Sequence, residues 1–327
     1  MHPRERLFAA LAIVVTIAGT SSAPAQDYPL RPVTIVVPFP AGGSIDTVAR
    51  VIGERMKVSL GQPFVVENIT GAGGSIGVGR VARAAPDGYT IGIGNLSTHV
   101  INGATYTLGY DVVSDFEPVS LLTTEPMLLG AKKTMAAVDL KGLVAWLKTN
   151  PNKATAAVGG TGDITQIADM LFQQETGTRF LLVPYRGTVL ALNDVMSERI
   201  DLIFMQSSSL LPQVTGGNIK AYAVMGPKRL AAAPNIPSID EAGLPGFYVP
   251  YWFGLWVPKG TPKAIIGKLN AAVVDALADQ VVRERLSELG REIVARDQQT
   301  PAALAALQLS EIEKWWPIIK AANIRAE

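Results

Sequence analysis

The sequence predicts an α/β protein of two domains, each a mostly parallel sheet flanked by helices, joined by a hinge of two crossing segments. Three observations carry this. Short β-branched runs alternate with amphipathic helical segments along most of the chain. Glycine-bearing turns stand between strand and helix in both halves, at Gly42-Gly43, Gly71 to Gly74 and Gly159 to Gly162. Two long extended segments, Val119 to Leu129 and Tyr248 to Val257, bracket the second α/β set. The 327 residues are 48% hydrophobic and 17% charged, which suits folded cores and excludes a disordered chain.

Taken in order, the chain opens with Arg4 and Arg6, an apolar run from Leu7 to Ala18, and Ala23-Pro24-Ala25. That is the pattern of a signal peptide over residues 1–25, cleaved near Ala25, so the mature protein is expected in the periplasm. The run is too short to span a bilayer comfortably, which argues against an anchor. The first domain is expected over 26–126 and 247–327, and the second over 127–246.

Val33 to Arg50 organises the first domain. Val33 to Val37 reads as a buried parallel strand, and Pro38 and Pro40 end it because neither has an N–H for the ladder. Ser44 is expected to cap the next helix, about Ile45 to Leu60, with Asp46 in its first turn. A helix N-terminus at the carboxyl end of a strand is a generic anion site, and an ordinary βα connection is the alternative. A strand at Phe64 to Glu67, a helix through Val78, Val81 and Ala82, and a strand at Thr90 to Gly94 follow. Ser97-Thr98-His99 stands at the end of that last strand.

The second set reads as a helix at Leu140 to Leu147, a strand at Ala154 to Val158, and a helix at Ile164 to Glu175. Then come a strand at Phe180 to Val183, a helix at Val189 to Met196, and strands at Leu202 to Met205 and Ala221 to Met225. Past Pro258 the chain is largely helical. Ile265, Leu269, Val273 and Leu277 recur at helical spacing, as do Leu304, Leu307, Ile312, Trp315 and Ile319. Both rows are core faces.

Several chemistries are excluded. With no cysteine there is no disulfide, thiolate zinc site, cysteine nucleophile or lipid-modified cysteine. Without its first 25 residues the chain is formally neutral, so it has no general attraction to nucleic acid or anionic membrane. No dinucleotide fingerprint, Walker loop, zinc-protease motif or calcium loop appears. One mature histidine cannot build a histidine-rich metal site. No metal and no cofactor are expected. Gly73-Gly74-Ser75-Ile76-Gly77 matches a nucleophile elbow, and a serine hydrolase using Ser75 and His99 is the enzymatic alternative. Asn68 to Ala72 separate Ser75 from its strand, so a turn into a helix is the better reading. His99 is more ordinarily a hydrogen-bonded core or loop residue. Asp46 either caps its helix, orients the loop or accepts from a ligand. Trp252 and Phe253 are either hinge packing or a stacking platform.

Pro38-Phe39-Pro40-Ala41-Gly42-Gly43-Ser44-Ile45-Asp46 resembles the first ligand loop of the tripartite tricarboxylate transporter substrate-binding proteins, the Bug or TctC family. Gly71-Ala72-Gly73-Gly74, Pro86-Asp87-Gly88-Tyr89-Thr90 and Pro184-Tyr185-Arg186-Gly187 match too. So do Trp252-Phe253-Gly254-Leu255 and Pro258-Lys259-Gly260-Thr261-Pro262. The resemblance covers essentially the whole mature chain. It implies a type II-like periplasmic binding protein that closes on a small organic anion, usually a carboxylate. It also implies delivery to a membrane permease of a large and a small subunit, with no catalytic step and no membrane insertion. A monomer is expected. A sensory binding protein serving a receptor kinase stays open beside transport.

The resemblance implies that backbone N–H groups and waters of two loops hold the ligand. The first maps onto Phe39, Pro40, Ala41, Gly42, Gly43, Ser44 and Asp46. The second maps onto Gly160, Thr161, Gly162, Asp163, Ile164 and Thr165. Ser97, Thr98, His99 and Gln206 complete the expected site. The family's second loop reads like G-S-x-x-H-L, and here Asp163 replaces the serine and Gln166 the histidine. A carboxylate at that place repels an anionic group. Either the second half of the ligand carries an amine, hydroxyl or amide, or Asp163 turns outward and only caps.

Overall fold

The computed structural model describes residues 28–160, 162–185 and 187–326. The expected leader, Thr161 and Arg186 lie outside the described residues. The apolar strand β1 (Val33–Val37) sits between β2 (Phe64–Asn68) and β3 (Thr90–Asn95), both parallel to it. Between β1 and β2 runs α1 (Ser44–Leu60), which buries Ile45, Val48, Ala49, Ile52 and Met56 at helical spacing. Between β2 and β3 runs α2 (Ser75–Ala82). β3 continues into a π-helical turn, Ser97–Ile101, and then α3 (Asn102–Thr105). The sequence suggests only a strand end there.

The long strand β4 (Phe116–Lys132) runs through two sets of partners. From Phe116 to Pro126 it pairs antiparallel with β9 (Pro250–Pro258), which also pairs with β3. From Met127 it pairs antiparallel with β7 (Leu202–Gln206), and from Leu128 with β8 (Ile219–Val224). Partners change at Pro126, which has no N–H to give a ladder.

A second parallel set follows, with β5 (Thr155–Val158) between β6 (Leu181–Pro184) and β7. Helices cover both faces of it. Leu143 and Leu147 of α4 (Leu140–Thr149) and Ile167 and Phe172 of α5 (Ile164–Thr176) belong to one core with Leu202 and Phe204. Ala191 and Val195 of α6 (Thr188–Met196) and Leu210 and Leu211 of α7 (Ser207–Thr215) belong to another with Ile203 and Met205. Alternate residues of β7 thus face opposite layers, as a strand's pleat requires. Among the described residues the sheet order is β2-β1-β3-β9-β4-β7-β5-β6, with β8 also on β4.

The chain closes with α8 (Lys263–Ala278), α9 (Gln280–Glu288), β10 (Glu292–Ile293) on β4, and α10 (Pro301–Ala321). Leu269, Val273, Leu277, Leu304, Trp315 and Ile319 are buried as their spacing predicts, while Ile265, Leu307 and Ile312 pack at the core's edge. Sequence reasoning misses α7 and β10. Three serines open α7 and Pro212 interrupts it, so its propensity is poor. β10 has only two residues. No helix of the described residues is long and apolar enough to cross a membrane.

Candidate functional site

A cavity of about 300 Å³ lies where the two sets of strands meet. Phe39, Pro40, Ala41, Gly43 and Ser44 line it from the loop after β1 and the start of α1. Ser97 lines it from the π-turn, Asp163 from the start of α5, and Gln206 from the end of β7. All eight are expected site residues. An outer cavity shares Phe39, Pro40, Gly159 and Gly187 with the first, and adds the Gly71 to Gly74 loop, Tyr106, Gly160, Tyr185 and Arg325. Gly42 lines a neighbouring cleft instead.

Asp46, Thr98, His99, Ile164 and Thr165 are buried behind these walls, and Gly162 is buried too. Asp46 is neither a cap nor part of the cavity lining. It accepts from the Gly42 N–H at 2.9 Å, from Arg50 Nε at 3.0 Å and Nη2 at 2.9 Å, and from Asn68 Nδ2 at 2.9 Å. The same Asn68 amide donates to the Phe39 carbonyl at 2.9 Å, so the network shapes the whole first loop. Burial opposes ionisation of Asp46, but the bonds from Arg50, Gly42 and Asn68 outweigh it and hold its carboxyl below the usual range. Asp46→Ala is expected to cost about 1–3 kcal/mol, because buried donors lose their acceptor. The urea midpoint reads this, and an unchanged midpoint would show that the loop is held otherwise.

Ser44 is not the N-cap. Gly43 occupies that place, with no side chain to offer. The Ser44 hydroxyl instead donates to Glu125 Oε1 at 3.1 Å and accepts from Arg291. Arg291 and Glu125 form an ion pair at 2.8 Å with both side chains fully buried. Glu125 Oε2 also accepts from the Ser208 N–H at 2.9 Å and Ser207 Oγ at 3.2 Å. Arg291 donates to Ser208 Oγ at 3.0 Å and lies 4.4 Å over the Phe253 ring. Starts of α1 and α7 thus meet on one pair, directly behind the cavity wall.

The two helix starts facing the cavity differ. The first-turn N–H groups of α1 cannot be satisfied within that helix. At α5 the donors are spent inside the protein. Asp163 Oδ1 accepts from the Thr165 and Gln166 N–H groups at 3.0 and 3.1 Å and from Thr165 Oγ1 at 2.6 Å. The Gly159 N–H donates to Thr165 Oγ1, the Gly162 N–H to Gln166 Oε1, and the Ile164 N–H to Ser97 Oγ. Asp163 therefore caps and also faces inward. Its Oδ2 stands beside Gly159, a lining residue, and among the described residues it accepts no hydrogen bond. Burial raises the Asp163 carboxyl to about 6, against the lowering effect of Thr165 and Gln166.

Ile45, inside the first expected loop, lines the cavity as well, whereas sequence reasoning misses Asn95, Gly159, Gly187, Thr188, Val189, Leu190 and Tyr251, and leaves Phe253 open between packing and platform. The strand pleat carried a signal for two of them. Along β9, Tyr251 and Phe253 share the face toward the cavity, while Trp252 and Trp256 lie on the other. Tyr251 OH accepts from Asn95 Nδ2 at 2.7 Å, which joins β9 to the end of β3.

The hydrolase alternative fails on this geometry. The His99 ring stacks on Trp256 at 3.8 Å between centroids, meets Phe116 edge-on, and pairs through Nδ1 with Thr98 Oγ1 at 3.0 Å. A Cβ at Gly94 would overlap that ring, so the strand position must be glycine. Burial alone takes the imidazole down to about 3, so it is a neutral core residue. Ser75 opens α2 after a separate turn and lines neither cavity. Among the described residues no group of three or more His, Cys, Asp or Glu side chains is placed to hold a metal.

Comparison with known proteins agrees with the binding geometry. The model of the tripartite tricarboxylate transporter family receptors matches residues 48–324. The chain is similar to the periplasmic binding protein BugD, with 38% identity and a TM-score of 0.86 over 92% of this chain and 100% of that one. It is 39% identical to MatC from Rhodopseudomonas palustris, solved with bound malate, with a TM-score of 0.84 over 89% of this chain and 100% of that one. A further R. palustris protein, solved with adipate, is 33% identical with a TM-score of 0.87, over 91% and 99%. An α/β binding-protein fold with a cavity where its two sets of strands meet fits a receptor rather than an enzyme, and the chain belongs to the tripartite tricarboxylate transporter family of receptors.

Proposed function

We propose that this receptor takes a small organic anion into the cavity, with a carboxylate on the first turn of α1. The open helix start carries this reading. Its N–H groups and dipole favour negative charge, each dipole contact contributing about 0.3–1 kcal/mol. The similar proteins solved with malate and adipate support a carboxylate ligand. The two sets of strands act as two domains, 26–126 with 247–327 and 127–246. They open and close about the change of partners at Pro126. The mature protein is exported, works in the periplasm as a monomer, and hands its ligand to a permease with large and small membrane subunits. Similarity to the periplasmic BugD supports that location.

Refolded, ligand-free protein screened against mono- and dicarboxylates, hydroxy acids and amino acids tests the proposal. A ligand at one hundred times its dissociation constant is expected to add about 2.7 kcal/mol, seen as a rise of a few degrees in Tm. If no anion gives a saturable shift, the carboxylate reading is wrong.

A further inference from the structure

The cavity is not symmetric in charge. At the α1 side it offers donors. At the α5 side the Ile164, Thr165 and Gln166 N–H groups are already used, and what faces inward is Asp163 Oδ2, which accepts no hydrogen bond among the described residues. None of the described lining residues is cationic, and Asp163 is the one carboxylate among them. Arg291, the nearest buried cation behind the wall, is spent on Glu125. The other polar residues of the lining, Ser44, Asn95, Ser97, Thr188, Gln206 and Tyr251, are neutral.

Resting on the carboxylate reading above, we propose that Asp163 selects among carboxylates. It favours those carrying a hydrogen-bond donor, an ammonium above all and then a hydroxyl, opposite the bound carboxylate, and it disfavours a second bare carboxylate there. A donor gives Oδ2 a partner it lacks among the described residues, and a site built to hydrogen-bond one group rejects analogues that leave it unpaired. A carboxylate in the same place puts two like charges together in a half-buried cavity.

The electrostatics run the same way. Asp169 of α5, Tyr106 after α3 and Tyr251 of β9 face Asp163. Asp169 is fully buried with both oxygens unpartnered, and burial first, then Asp163, pushes its carboxyl well upward. Burial and the Asp163 charge likewise raise Tyr251. Tyr106 and Tyr251 stay neutral phenols, and Asp163 is the carboxylate of these groups that lines the cavity, so an ammonium is the ligand charge it favours.

Calorimetric titration of wild type and Asp163→Ser with pentanoate, 5-hydroxypentanoate, 5-aminopentanoate and glutarate tests this, repeated with the four- and six-carbon sets. Serine keeps the N-cap, so the variant folds. At pH 8, wild type is expected to bind the amino acid at least about tenfold tighter than the diacid, with the hydroxy acid between. In Asp163→Ser the amino acid should weaken and the diacid gain by about tenfold. At pH 5 the gap should narrow more in wild type than in the variant, where only the probes' own carboxyls titrate. Tightest binding of the diacid by wild type at pH 8, or an equal change for every probe in the variant, would overturn the inference and leave the receptor reading standing. Absence of saturable binding by every probe, in both proteins, would overturn the carboxylate reading and this inference with it.

Discussion

Arg291→Met is expected to destabilise the protein by about 3–5 kcal/mol, the largest effect of any single substitution considered for this molecule. The reason is the partner left behind. Glu125 is fully buried, and without the guanidinium its charge keeps only the donors from Ser44, Ser207 and Ser208. Burial disfavours the charged form of Arg291 too, and the Glu125 carboxylate works against that. The pair therefore contributes little net stability as a pair but is costly to halve. Arg291→Met with Glu125→Leu should recover most of the loss, because two apolar side chains of similar size remove both charges at once. Urea unfolding of the wild type, both single variants and the double variant measures this as a cycle. A loss below about 1 kcal/mol in Arg291→Met, or a double variant worse than either single one, would show that the pair is not the electrostatic unit described. Ligand affinity should fall as well, since Ser44 is both a partner of the pair and a cavity residue.

The second large effect concerns pH. His99 is neutral in the folded protein, with its titration taken down to about 3 by burial, while an unfolded histidine titrates near the ordinary 6.5. A base whose folded value is depressed contributes stability that is fully present above the unfolded value. That stability is lost as pH falls, because the unfolded chain then binds a proton the folded one refuses. The loss is about 1.4 kcal/mol per pH unit inside the window from 6.5 down to 3. Asp163 runs opposite, since its raised value makes the folded state take a proton first as pH falls through about 6, and the raised Asp169 acts in the same direction. Comparing wild type with His99→Gln isolates the imidazole. The variant loses the stack on Trp256 at every pH, so it starts less stable at pH 7.5. Between pH 6.5 and 4 wild type should lose about 3 kcal/mol relative to it. A difference that stays constant from pH 7.5 to 4 would mean that His99 is charged or solvated in the folded protein.

Much of the fold was legible in the chain because local physics decided it. The β-branched run of β1, the apolar rows of α1, α8 and α10, and the glycine turns each carry their own signal. Where the local signal was weak, the fold was not legible. The serine-rich α7 and the two-residue β10 exist through their neighbours, not through propensity. The placement of Ser44 shows the limit within one residue. By type it is a good cap, but its hydroxyl finds a stronger partner in the buried Arg291–Glu125 pair.

The candidate site divides in the same way. Sequence by itself pointed to the loop after β1 and the start of α5, which both line the cavity, and to Asp163 as a departure from the pattern that the resemblance implies. It also determined that no cysteine, histidine cluster or phosphate loop supplies a reaction. Only the tertiary structure decided that Asp46 holds the loop instead of touching the cavity, and that His99 is locked under Trp256. It alone decided that Asp163 caps with one oxygen and faces inward with the other. Residue type and spacing set which bonds a side chain is able to make. Which bond it makes depends on partners brought in from distant strands and helices, and on the burial that leaves each polar group one way to be satisfied.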